Sequence, residues 1–199
     1  MTNSGLIARI KVVMDEVKPA VMRRLEIPLA IRLDRLHTTL QIAIGWTDSH
    51  LYEFRIKGIG FGIPDPDWGL CDGPLDARNT KLIDVLEDTG AKSFKYLYDF
   101  GDGWEHSIKI ERIDPAANGI LYPRLIDATG ACPPEDVGGP WGYAEAREAI
   151  ADPSHERHAE LSDWWGIGLS DLDTIDIPVI DAELTKLAKR WSRKPRKTA

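Results

Sequence analysis

The chain has 199 residues, 43% of them apolar and 29% charged, the balance of a globular fold rather than a disordered or fibrous one. No apolar run approaches the roughly 20 residues that span a bilayer, and the opening MTNSGLIARIKVV lacks a charged segment followed by a long apolar one. Neither a membrane span nor a secretory signal is therefore expected, and a cytoplasmic location is. The net charge of −7 is uneven: the last ten residues, RWSRKPRKTA, carry five basic side chains and no acid, which leaves the rest of the chain at −12. An acidic body repels nucleic acid over most of its surface. The tail, residues 192–199, reads as a solvated basic terminus that could contact phosphate but has nothing to bury.

Leu6 to Met14 is rich in Ile and Val with loose alternation, which predicts a strand. Val17-Lys18-Pro19 breaks it, and Val21 to Ile27 resumes as a second strand ending at Pro28. Leu33, Leu36, Leu40 and Ile44 recur at helical spacing, with Gly45 as the stop. His50 to Ile56 alternates again and puts His50 on a face with Tyr52, Phe54 and Ile56. Gly58 to Asp76, full of Gly, Pro and Asp, reads as one long loop. Thr80 to Asp88 reads as a short helix. Lys95 to Glu111 forms a hairpin, Pro115 to Gly139 is irregular with room for one more strand, and helices are expected over Tyr143–Ala151, His155–Trp165 and from Pro178 to Trp191. The order, strands early and helices late, predicts an α+β fold: a single compact domain over residues 1–191, with a mixed or largely antiparallel sheet and helices packed on it. Cys71 and Cys132 stand apart without CxxC spacing, and reduced thiols fit the expected compartment better than a disulfide.

The hairpin KYLYDFGDGWEHSIKIE holds the densest mixture of chemistry. Placing Tyr96, Tyr98 and Phe100 on one face with Trp104 and His106 requires a three-residue Gly101-Asp102-Gly103 loop with Gly103 left-handed. Tyr98 then faces His106, and Asp99 faces Glu105. A two-residue turn would instead put Asp99 opposite His106. The coherent apolar face favours the first register. Asp99, Asp102 and Glu105 gather like charges at the tip, either as a solvated turn or as a cluster that binds a cation. His37, His50 and His106 all lie on or beside apolar faces. Such histidines are usually hydrogen-bonded core residues, but three of them could converge on a metal.

ACPPEDVGGPWGY, residues 131–143, is the second unusual segment. Pro133-Pro134 stiffens the chain, Glu135-Asp136 follows with two carboxylates, and Gly138-Gly139 frees the backbone for a tight turn or a close approach. These features suit a binding loop.

The segments YxYDFGDxWxH, ACPPEDxGGxxGY and LHTTLQIAIGWTDSHLYEF together resemble the plasmid pRiA4b ORF-three-like family, in the expected order from Arg32 to Tyr143. The resemblance implies a compact α+β domain found on plasmids, near insertion elements and in bacterial chromosomes. It brings no established activity, and this chain has no recognisable serine-recombinase pattern. The matching positions are His37, Gly45, Trp46, His50, Asp99, Gly101, Asp102, Trp104, His106, Pro133, Pro134, Glu135, Asp136 and Gly139. Val137 stands where many relatives carry cysteine, which argues against a cysteine-based metal site.

The expectation that follows is a ligand- or partner-binding module of mobile-element origin. Its site would be one acidic, Trp-lined cleft built from His37, Trp46, His50, Asp99, Asp102, Trp104, His106, Glu135 and Asp136, with a divalent metal possible. The alternatives are a metal-dependent hydrolase or nuclease, in which those side chains would hold an ion that activates water, and a structural accessory with no small ligand.

Overall fold

A computed structural model describes residues 5–65, 73–166 and 173–192. Cys71 and the basic tail beyond Ser192 lie outside the described residues. The strands are β1 (Leu6–Met14), β2 (Met22–Pro28), β3 (Tyr52–Ile56), β4 (Ile59–Gly62), β5 (Leu75–Asp76), β6 (Ser93–Tyr98), β7 (Trp104–Pro115) and β8 (Arg124–Thr129). They join in one mixed sheet of order β5-β4-β3-β6-β7-β1-β2-β8. Only β4 and β5 pair in parallel; the other neighbours are antiparallel. Five helices complete a compact α+β domain among the described residues: α1 (Leu33–Ile44), α2 (Leu82–Thr89), α3 (Gly139–Ala151), α4 (His158–Trp165) and α5 (Ile177–Ser192).

The period-two pattern of β1 buries Ala8, Ile10, Val12 and Met14 on one face. α1 covers the sheet with Leu33, Leu36, Leu40 and Ile44, each contributing about 1.5–3 kcal/mol through burial. It stops where Gly45 takes the left-handed conformation (φ 117°) and its N–H caps the Gln41 carbonyl. α5 packs on α1 and β8, while α3 and α4 share a small core of Ala146, Ala149, Ile150 and Leu161.

Three expectations are corrected. The stretch 58–76 is not one loop, because β4 and β5 occupy its two ends. Four- and two-residue strands containing glycine carry too little alternation to be seen in the sequence. Strand β3 begins at Tyr52, so His50 lies in the loop before it rather than on its face. The hairpin adopts neither weighed register: Tyr98 pairs with Trp104, and Tyr96 with His106. Tyr96, Tyr98, Trp104 and His106 keep the shared face but Phe100 does not, and the pairing is shifted by two residues, because Asp99 leaves the strand with φ 54°. Its Oδ1 accepts from the backbone N–H of Gly101 (2.9 Å) and Asp102 (3.3 Å), turning residues 99–103 into a five-residue connection. Phe100 is consequently exposed. Glu105 faces Leu97 rather than Asp99 and reaches toward Arg55 and Lys95.

One charged residue belongs to the core. Arg23 shares the buried face of β2 with Leu25 and Ile27. Its guanidinium donates to the carbonyls of Ala43 (2.6 Å), Met22 (2.8 Å), Thr129 (2.9 Å), Gly130 (3.1 Å) and Ile44 (3.4 Å). Ala43 and Ile44 close α1, where carbonyls lack helical partners and the helix dipole favours a cation. Burial lowers the Arg23 pKa, yet a guanidinium stays charged at neutral pH.

Candidate functional site

The loop between α1 and β3, the hairpin tip and the PPED loop meet at one end of the sheet. Asp102 Oδ2 accepts from the Gly138 N–H at 3.1 Å. Gly139, at φ 69°, lies so close to the tip that an added methyl carbon would sit 2.2 Å from the Asp102 carbonyl oxygen. Gly142 is similarly pressed against the Val137 carbonyl, at 2.0 Å for the same methyl carbon. Of the paired glycines, Gly139 serves close approach, whereas Gly138, at φ 92°, has only ordinary contact at 3.6 Å and serves the turn.

Glu135 sits at the centre of the junction. Its Oε1 accepts from the Tyr98 hydroxyl (2.5 Å), and its Oε2 from the Thr47 hydroxyl (2.5 Å) and Thr47 N–H (3.1 Å). Desolvation pushes the Glu135 carboxyl up, but these donors outweigh it, so Glu135 titrates below the ordinary carboxylate value. Tyr98 is raised, first by desolvation and then by the carboxylate it serves. The same phenolic oxygen accepts from the Ser49 (2.9 Å) and His50 (3.3 Å) backbone N–H groups, so it ties three segments together.

The histidines do not converge. His37 is buried: its Nε2 meets Asp48 Oδ1 at 2.6 Å and its Nδ1 meets the Tyr96 hydroxyl at 2.7 Å. A carboxylate can only accept, which puts the proton on Nε2 and leaves Nδ1 to accept from Tyr96. Gln41 closes the ring, donating to Tyr96 at 3.0 Å and accepting from the Asp48 N–H at 3.0 Å. Burial lowers the His37 pKa despite Asp48 beside it, so the contact is a hydrogen bond of a neutral imidazole rather than an ion pair. His106, also buried, donates from Nδ1 to the Tyr96 carbonyl (3.2 Å), and its pKa is depressed by burial to about 4. Its Nε2 and the Trp104 Nε1 have no hydrogen-bond partner.

The tryptophans do not line a cleft. Trp104 is 1% exposed and Trp46 7%. Trp46 stacks on Tyr98 (4.8 Å between centroids), meets His106 edge-on and donates to the Pro133 carbonyl at 2.9 Å. Both rings are core: Trp104 opens β7, and Trp46, in the loop after α1, packs against it at 5.7 Å between centroids. An apolar groove of about 580 Å³ lies elsewhere, among Leu29, Ile83, Leu86, Ile110 and Ile113, and none of the candidate residues lines it.

His50, Asp99 and Asp136 do come together. His50 Nε2 lies 3.1 Å from Asp136 Oδ1 and 3.6 Å from Asp99 Oδ2, and one donor atom from each of the three falls within 4.8 Å of the others. Neither approach has the alignment of a hydrogen bond, so the buried His50 Nε2 has no such partner. Asp99 is 8% exposed, whereas the Asp136 side chain is 72% exposed and opens the cluster to solvent. Both aspartates adopt left-handed backbone, at φ 54° and 61°, a conformation Asp tolerates better than most residues.

The sequence missed Thr47, Asp48, Tyr96 and Tyr98 as members of this network. The signal available was that tyrosines on an apolar face need a partner for each hydroxyl. Among the described residues, Cys132 is a free thiol, pushed up to about 12 by burial.

An α+β domain with one twisted sheet, a helix-covered face and a His/Asp cluster where three loops meet is the class defined by these observations. The profile of the plasmid pRiA4b ORF-3-like protein family matches residues 6–181, and the chain belongs to that family. It is 58% identical over 191 residues to the uncharacterized protein y4hQ of Sinorhizobium fredii (strain NBRC 101917 / NGR234), covering 96% of this chain and 97% of that protein. Its fold is similar to the crystal structure of MM3350 from Methanosarcina mazei Go1, a protein of unknown function. That match has a TM-score of 0.76 and 29% identity, and it covers 87% of this chain and 97% of the other. Among the described residues, no helix is long and apolar enough to cross a membrane.

Proposed function

We propose that this protein is a binding module whose site is the junction of hairpin tip and PPED loop, and that it takes a cationic group between Asp99 and Asp136. One observation carries the reading. Two carboxylates from segments 37 positions apart in the sequence are brought together beside His50, and no Arg or Lys forms an ion pair with either among the described residues. Gathering like charges is unfavourable unless a cation offsets it. Elsewhere the fold supplies one: Glu26 is held by Arg9 and Arg124, Glu111 by Arg24, and Asp15 by Lys95. The net charge of −12 outside the last ten residues favours a cationic ligand over nucleic acid for the body of the domain.

Thermal unfolding with a panel of divalent ions and organic cations (agmatine, spermidine) tests this reading. A ligand at about 100 times its dissociation constant adds roughly 2.7 kcal/mol, which raises the midpoint by about 5–10 °C for a domain of this size. At least one cation is expected to do so for the wild type and not for Asp136→Asn. A panel with no effect, or an equal effect on the variant, overturns the proposal.

A further inference from the structure

We infer that the His50–Asp99–Asp136 cluster is a divalent transition-metal site. The inference rests on the reading of this junction as a cation site and commits it to a zinc-like ion.

The donor spacing supports it. Zinc bonds nitrogen and oxygen at about 2.0–2.2 Å in tetrahedral geometry, which sets neighbouring donors roughly 3.3–3.6 Å apart. His50 Nε2 stands 3.1 Å from Asp136 Oδ1 and 3.6 Å from Asp99 Oδ2. Small rotations of the exposed Asp136 side chain are enough to adjust the remaining edge, which lies within 4.8 Å. The donor types narrow the ion further. Calcium takes six to eight oxygens, and magnesium keeps most of its waters. One imidazole with two carboxylates suits zinc, cobalt, nickel or manganese.

Orientation is the second argument. Metal-binding carboxylates are held by hydrogen bonds through the oxygen that does not bind. Asp99 Oδ1 is taken by the N–H groups of Gly101 and Asp102, which leaves Oδ2 turned to His50 with no hydrogen bond of its own. The imidazole is positioned through its backbone, whose N–H reaches the Tyr98 hydroxyl. Its Nε2 is buried, without a hydrogen bond, and directed between two carboxylates. A nitrogen so placed suits a metal better than it suits water, which would compete for hydrogen bonds with both acids. Three protein donors leave at least one coordination position free on the side of Asp136, which is where an outside ligand would enter.

Isothermal titration of chelator-treated protein at pH 7.5 with zinc chloride and, separately, cobalt chloride is the test, with the cobalt visible spectrum as an independent readout. One ion per chain is expected, with a tetrahedral cobalt spectrum. His50→Ala and Asp136→Asn should each weaken binding at least tenfold, and His155→Gln, outside the cluster, should leave it unchanged. Asp136 is exposed, so its variant keeps the fold and a loss of binding cannot be put down to unfolding. Equal affinity in Asp136→Asn and wild type overturns the metal site. If zinc and cobalt fail but agmatine or spermidine still binds in an Asp136-dependent way, the metal inference falls and the cation-binding reading stands. If no cation of either kind binds, both fall.

Discussion

The Tyr98 hydroxyl donates to Glu135 Oε1 at 2.5 Å, a bond from the hairpin strand to the PPED loop. Because the same oxygen accepts from Ser49 and His50, it also sets the loop that presents the His50 imidazole. The candidate site is therefore positioned from beneath by a residue that does not belong to it.

Tyr98→Phe should destabilise the domain by about 1–3 kcal/mol, since it leaves the Ser49 N–H without an acceptor and removes a donor from a carboxylate. Glu135→Gln should cost less. The double variant should cost less than the two together, because residues in contact are not additive. Urea unfolding of the three proteins measures the coupling, and strict additivity would show that the bond has no energetic role. The same carboxylate predicts an acid response. Its folded pKa is depressed below the ordinary 4.5, so its contribution is complete above that value and is lost as pH falls through the folded one. Glu135→Gln should flatten the stability curve below pH 4.5 relative to wild type.

His106 predicts a second, higher window. Its folded pKa is about 4 against an ordinary 6.5, so between these values the unfolded chain takes up a proton that the folded chain refuses. Stability present above pH 6.5 should fall as the pH drops toward 4, by on the order of 3 kcal/mol. His37, also lowered by burial, acts in the same direction. Denaturant midpoints at pH 7.5, 6.0 and 5.0 should decline in the wild type and decline less steeply in His106→Gln. Parallel curves would exclude His106 as the source.

Gly139 and Gly103 share a left-handed backbone, at φ 69° and 70°, but not an environment. Nothing lies near an added methyl on Gly103, whereas on Gly139 it would meet the Asp102 carbonyl. Gly103→Ala should cost about 1 kcal/mol, from backbone strain alone. Gly139→Ala should cost at least twice that and should weaken whatever the site binds. Equal thermal midpoints for the two variants would mean that the loop does not press on the tip.

Arg23→Lys should be among the most damaging conservative substitutions, at more than about 2 kcal/mol. An ammonium cannot reach five carbonyls arrayed about a planar guanidinium. A loss under 0.5 kcal/mol by chemical denaturation would show that the carbonyls are satisfied without it.

Much of this architecture was legible before any coordinates. The alternation of Ala8, Ile10, Val12 and Met14 and the spacing of Leu33, Leu36 and Leu40 located β1 and α1, because burial on one face imposes those periods directly. The meeting of hairpin tip and PPED loop was also readable, since each carries carboxylates and the irregular chain between them is long enough to return to the same edge of the sheet. The hairpin register was not. It depends on Asp99 capping its own turn through Oδ1, an alternative that a face-matching argument does not see. Arg23 was overlooked although it falls in step with Val21, Leu25 and Ile27, because a charge in a strand is read as pointing outward. The tryptophans were placed on a surface because the contacts that bury Trp46, with Trp104 and with Pro133, come from residues far along the chain.

The carbonyl cage around Arg23 has one more consequence. Carbonyls do not titrate, so this anchor, which grips Thr129 and Gly130 at the root of the PPED loop, is indifferent to acid. The far end of the loop hangs from Glu135, whose grip depends on its charge. On acidification the loop should therefore peel from its tip while its root stays fastened, giving an order of detachment that amide exchange along residues 129–138 would record.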